Sequence, residues 1–178
     1  MGGRGGYGCP AWPLSEDVQL GKTRGTQRFV HKSLLTDEER GIWRSFVVMN
    51  FAINRALDAE LRIQSGLTLP EYEVLWELTQ APENRLRMRE LAKHLLFTRS
   101  GVTRLIDRLE DAGYVERDDV DNDGRGVFAS LTKAGFGAFE DAAVDYIASL
   151  RRHFFEPLRS DLPTMRKLLA RLDSPELF

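Results

Sequence analysis

The sequence predicts a mainly α-helical fold carrying one small β-hairpin, on three observations. Capping signatures open several segments, apolar residues recur at helical spacing behind them, and one pair of short β-prone runs brackets a polar, glycine-containing stretch. With 178 residues and 42% apolar content, the chain suits one domain with appendages and a real core.

Composition removes several classes of function. The longest apolar runs, such as 127–131, hold about five residues against the roughly 20 that a membrane helix needs. Residues 1–8 are glycine-rich and no apolar signal region follows them. One cysteine, Cys9, and three scattered histidines (His31, His94, His153) offer neither a disulfide framework nor a zinc site. The expectation is a soluble, cytoplasmic protein with no cofactor, no metal and no membrane contact. A net charge of −2 does not announce a nucleic-acid binder, so the local distribution of charge has to decide.

Residues 1–34 hold seven of the fifteen glycines, Pro10, Pro13 and a net charge of about +3, without helical period. They read as a flexible tail, or as an arm able to touch phosphates, with Trp12 and Phe29 as anchors. Order is expected from Thr36, whose Thr-Asp-Glu-Glu run is a capping box. Behind it Ile42, Phe46, Met49, Ile53 and Leu57 form one stripe, and Trp43, Val47, Asn50, Asn54 and Leu61 a second. The resulting face, on a helix ending near Gly66, is wider than a small domain can cover, and a second subunit is its natural cover.

Thr68-Leu-Pro-Glu71 is another capping box, opening a short helix with Tyr72, Leu75, Trp76 and Leu78. A helix over about 89–96 follows, with Leu91, Ala92 and Leu95 inward and Phe97 in a turn. Thr98 caps the next helix, which buries Val102, Leu105, Ile106 and Leu109 and stops at Gly113. Residues 114–117 and 127–131 read as two strands around a polar tip. Thr132 caps a long helix to about Phe155, and a last helix begins at Ser160 or Asp161 and carries Leu162, Met165, Leu168, Leu169 and Leu172.

A short helix, a tight turn and a capped second helix form a helix-turn-helix, whose second helix normally enters the major groove of DNA. Its outward residues here are Arg99, Ser100, Thr103, Arg104 and Arg108, while Gly101 lets the backbone come close. Arginine can pair bidentately with guanine, and serine or threonine with bases or phosphates. Residues 98–108 carry a net charge of about +2 within an acidic protein. A hairpin directly after this helix, with Arg125 between two glycines at its tip, has the form of a wing. Arg125 there suits the narrow minor groove, and Asp123 can pin its side chain.

These residues resemble the MarR (multiple antibiotic resistance regulator) family. The resemblance rests on Leu91-Ala92, the run Arg99 to Glu110, Gly113-Tyr-Val-Glu-Arg117, the pair Asp123 and Arg125, and Leu131-Thr-Lys-Ala-Gly135. It implies a winged helix-turn-helix lobe (about 68–132) flanked by long dimerisation helices (about 36–65 and 133–173), within a domain spanning 35–178. It also implies a transcriptional regulator, expected to be a repressor, that binds double-stranded DNA as a homodimer on a pseudo-palindrome. Three features depart from the family: Gly124 where a longer residue is common, the acids Asp118, Asp119, Asp121 and Asp123 in the wing, and the long N-terminal tail.

Many members of the family release DNA on binding a small aromatic ligand between the dimerisation helices and the winged lobe. Trp43, Phe46, Tyr72 and Trp76 can line such a site here, although aromatic stripes on helices are also ordinary core. Asn50 and Asn54 can serve a ligand or each other. Some relatives sense oxidants through a cysteine, but Cys9 lacks a neighbouring histidine to lower its pKa. Two other classes frame the reading. A winged domain can be a protein-interaction module without sequence-specific DNA binding, which the acidic wing would suit. An enzyme would need a nucleophile elbow, a phosphate loop or a metal-binding His-Glu-x-x-His, and none is present.

Overall fold

The computed structural model describes residues 35–119 and 126–172. The tail over 1–34, Cys9, and the wing-tip residues Asp123, Gly124 and Arg125 lie outside them. The chain divides into two compact units, Met1–Arg40 and Gly41–Phe178. In the first, the expected capping box is formed: Glu39 N donates to Thr36 Oγ1 at 3.1 Å and Thr36 N donates to Glu39 Oε2 at 2.6 Å. The backbone amide of Thr36 holds the Glu39 carboxyl below its ordinary pKa.

Helix α1 (Asp37–Gln64) ends at Gly66, whose φ of +76° a glycine adopts at little cost. Helix α2 (Leu69–Gln80) starts on the predicted Thr68–Glu71 capping box, with both reciprocal bonds present. A short 3-10 turn leads to strand β1 (Arg85–Arg87), then helix α3 (Met88–His94) and helix α4 (Arg99–Asp111). Strands β2 (Val115–Asp119) and β3 (Val127–Leu131) form the hairpin. Helix α5 (Lys133–Leu150) runs into a π-turn (Arg151–Phe155), and helix α6 (Leu162–Leu172) closes the described chain.

The second unit is held by a core built on α2. Val74, Leu75 and Leu78 pack with Leu91, Val102, Ile106, Leu109, Val115, Ala129 and Ala142, all at most 1% exposed. Helix α1 buries only Leu57 and Leu61 in this core, with the partly buried Ile53 packed against it. Each such aliphatic side chain removed from water is worth about 1.5–3 kcal/mol.

Three expectations change. The sheet has three strands, in the order β1-β3-β2 and all antiparallel, where two strands were expected. Strand β1 is only three residues long, too short to show a period. The long helix after Thr132 is interrupted at its end, where Glu156 N donates to Arg151 O at 2.8 Å in a wider turn. Ser149 at the end of α5 and Arg152 and His153 in that turn converge on Glu60 of α1; His153 Nε2 is 2.8 Å from Glu60 Oε1, and Ser149 Oγ donates to Oε2. Ser149 first, and His153 second, hold the Glu60 carboxyl below its usual pKa. Finally, α3 stops at His94, and Leu96 takes a left-handed φ of +55° in the following turn, 81% exposed.

Gly135 explains the Leu-Thr-x-x-Gly run. A Cβ there would lie 2.0 Å from Tyr114 O, so only glycine lets the start of α5 seat on the strand entering the wing. Thr132 ties the same corner, donating from Oγ1 to Gly113 O at 2.8 Å and capping Gly135 N. Among the described residues no helix is long and apolar enough to cross a membrane.

Candidate nucleic-acid interface

Helix α4 begins where Thr98 Oγ1 accepts from Gly101 N at 3.1 Å. Its inner stripe of Val102, Leu105, Ile106 and Leu109 is buried, which turns Arg99, Ser100, Thr103, Arg104, Asp107 and Arg108 outward. Arg99 and Arg104 have no carboxylate partner among the described residues. Thr103 Oγ1 donates to Arg99 O at 2.9 Å, and Ser100 Oγ sits 3.2 Å from the Thr98 hydroxyl. Gly101 is half-buried, and a Cβ on it would come within 3.2 Å of Thr98 Oγ1. Its smallness therefore serves the helix cap, a role the sequence reading had not assigned to it.

Arg108 is engaged differently from its neighbours. Its Nε donates to Glu71 Oε1 at 2.6 Å, and the other oxygen of Glu71 caps α2. Arg108 thus links α4 to the start of α2, although its side chain stays 56% exposed. Arg117, from β2, reaches Asp107, Glu110 and the carbonyl oxygen of Thr103. This clamp fixes the wing to α4 and neutralises Asp107, the one acid among the outward residues between Arg99 and Arg108. What is left open is a helix face with Arg99 and Arg104 uncompensated, which favours a polyanion. Sequence reasoning missed Glu71 and Arg117 as the organisers of this face. Their partners lie 37 residues away for Arg108 and 10 and 7 for Arg117.

The four aromatics considered for a ligand divide into two groups. Trp43 stacks on Phe46 with centroids 5.9 Å apart, and both are exposed on α1. Tyr72 is buried against Phe139 and Tyr146, at 5.4 and 4.5 Å, while the half-exposed Trp76 meets Phe139 edge-on. The Tyr72 hydroxyl has no hydrogen-bond partner among the described residues, and burial pushes it up to about 12. None of the four lines either of two surface grooves, one beside the α3–α4 turn and one between the end of α1 and α5. Asn50 and Asn54 bond each other along α1 at 3.2 Å.

Comparison with known proteins agrees with this geometry. Residues 65–126 match the model of the MarR family. AbsC, a MarR family transcriptional regulator from Streptomyces coelicolor, superposes with a TM-score of 0.71 at 34% identity, over 78% of this chain and 93% of that one. Sco3205, a MarR family transcriptional regulator from the same organism solved in complex with DNA, gives 0.68 at 34% identity, over 80% and 92%. The HTH-type transcriptional repressor Rv2887 of Mycobacterium tuberculosis is 41% identical over 70 residues, 39% of this chain and 49% of that protein. Helix-turn-helix, wing and flanking helices are therefore those of a transcriptional regulator and not of an enzyme, and the chain belongs to the MarR family.

Proposed function

We propose that this regulator is a cytoplasmic, homodimeric repressor that reads a pseudo-palindromic operator and releases it when a small aromatic molecule binds. The observation that carries the reading is the outward face of α4, where Arg99 and Arg104 stand uncompensated while Asp107 is held by Arg117. Arg104 and Arg99 contact base edges or phosphates, Ser100 and Thr103 support them, and Arg108 contributes from its exposed edge while it holds Glu71. Gly101 preserves the cap that aims these side chains. Arg125, with Asp123 beside it in sequence, supplies the wing contact. The DNA complex of Sco3205 and the repressor from Mycobacterium tuberculosis support the same reading.

A second copy is called for by apolar surface. Ile42, Trp43, Phe46, Val48, Met49 and Phe51 of α1 are at least 36% exposed, as are Leu168, Leu169 and Leu172 of α6. A soluble monomer rarely leaves such patches open. Two lobes related by a two-fold axis would read half-sites about one helical turn, roughly 10 bp, apart. The effector reading is supported by the unpartnered Tyr72 hydroxyl, on a ring that shares Phe139 with the half-exposed Trp76, which a phenolic or carboxylate ligand would satisfy.

The test is binding of the purified protein to its own upstream DNA across a salt series, with stoichiometry. A two-chain complex whose affinity falls steeply with salt is expected, with Arg104→Ala costing about 1–3 kcal/mol and relaxing sequence preference. No preference over random duplex at low salt would overturn the reading and favour a protein-interaction module.

A further inference from the structure

The winged lobe holds seven described arginines: 85, 87, 89, 99, 104, 108 and 117. Four have carboxylate partners. Arg85 meets Glu83 at 2.7 Å, Arg89 meets Glu90 at 3.9 Å, Arg108 meets Glu71, and Arg117 meets Asp107 and Glu110. Three have none among the described residues. Two of these are Arg99 and Arg104 on α4, and the third is Arg87, at the end of β1.

Arg87 is positioned rather than merely unpaired. Its guanidinium carbon stands 5.0 Å from the centre of the Phe128 ring, with that of Arg85 at 5.2 Å from the same ring. The register sets Arg87 opposite Phe128 and Arg85 opposite Ser130, so both arginines share one face of the sheet. On the far side of β3, Asp118 also pairs with Phe128, but its carboxylate accepts from the Ser130 hydroxyl. Gly126 adjoins the guanidinium: a Cβ there would lie 3.3 Å from Arg87 Nη1. The Arg87–Phe128 pair lies next to Val127–Asp119, at the end of the hairpin from which the wing tip departs. A guanidinium stacked on an aromatic face keeps its in-plane N–H donors open, and it loses little side-chain freedom on meeting an anion.

We propose that Arg87 is a DNA-backbone contact, a guanidinium that Phe128 and Gly126 hold ready for a phosphate beside the wing. This rests on the DNA-binding function proposed above. It adds to the reading surface a residue that belongs neither to α4 nor to the wing tip. Arg85, already paired with Glu83, is its internal control.

The test compares the parent, Arg87→Ala, Arg87→Lys, Arg85→Ala and Arg104→Ala as full-length proteins. Each is titrated over a salt series against a duplex from the upstream region and a random-sequence 30-bp duplex. Losing one phosphate contact should make the slope of log affinity against log salt shallower by about 1 per bound subunit, equally on both duplexes. Arg87→Lys should keep the slope, and Arg85→Ala should leave it at the parent's value. If Arg87→Ala fails to fold by circular dichroism, Arg87→Gln carries the same comparison. Arg87→Ala (or its Gln substitute) weakening binding with an unchanged slope, or not weakening it, overturns the proposal and leaves Arg87 a packing residue. With Arg104→Ala impaired in the same series, that result leaves the proposed function standing. A parent that binds neither duplex at low salt overturns both.

Discussion

Helices α4 and α6 carry similar patterns and meet different fates. Each has an apolar stripe at helical spacing: Val102, Leu105, Ile106 and Leu109 on one, Leu162, Met165, Leu168, Leu169 and Leu172 on the other. The first stripe is entirely buried, while α6 has no buried residue. The same contrast divides α1, whose Leu57 and Leu61 enter the core while Ile42, Trp43 and Phe46 stay exposed. A stripe therefore tells that a helix face seeks cover, and only the surrounding chain tells whether the cover is its own. The lobe that holds α4 is satisfied internally. The open faces of α1 and α6 are the ones assigned to a second copy.

The sharpest way to break this contrast is denaturant unfolding at two protein concentrations. Ile106 is fully buried, so Ile106→Ala should cost about 3 kcal/mol and lower the midpoint while leaving its dependence on concentration intact. Gly135→Ala comes next, at about 2–3 kcal/mol, because the new methyl must displace the Tyr114 carbonyl that the start of α5 rests on. An unchanged midpoint for either would mean that the lobe is not packed as described.

Tyr72→Phe should have the opposite sign. Its buried hydroxyl has no partner among the described residues, so removing it should stabilise the fold by about 1 kcal/mol. Burial raises the group from 10.0 to about 12, so it stays protonated in the folded state after the unfolded chain has ionised. The stability associated with it is full below pH 10 and is lost as pH rises toward 12, and Tyr72→Phe should remove that alkaline loss. Retention of the alkaline loss in the variant would assign it to another group.

Glu60 gives the acid counterpart. Its carboxyl is held below the ordinary 4.5, so the stability it confers is present above that value and lost as pH falls through its lower folded value. Glu60→Gln should flatten that part of the acid unfolding curve. The smallest effect on folding itself is expected from Leu169→Glu on the exposed face of α6, within about 0.5 kcal/mol for the single chain. Yet this variant should abolish the concentration dependence of the midpoint, and sedimentation should find it monomeric. A dimer that survives Leu169→Glu would move the interface away from that face.

Much of the molecule was legible because its signals are local. Both capping boxes, the inner stripe of α4 and the Gly113 stop lie within a few residues of the groups they serve. What escaped depends on residues brought together from afar. Strand β1 exists only because β3 pairs with it, and the π-turn is accompanied by three donors converging on Glu60, some ninety residues earlier in the chain. Arg108 looks like Arg104 in sequence, and only the approach of Glu71 separates the two.

The sequence by itself determined the order of helices, their inward faces, the helix-turn-helix with its hairpin and the candidate reading residues, since capping and periodicity act within one or two turns. Tertiary structure alone decided which arginines are spent on carboxylates and which stay open, why Gly135 must be small, and that the four aromatics form two groups. Those outcomes depend on distances between segments far apart in the chain, and no local pattern encodes such distances.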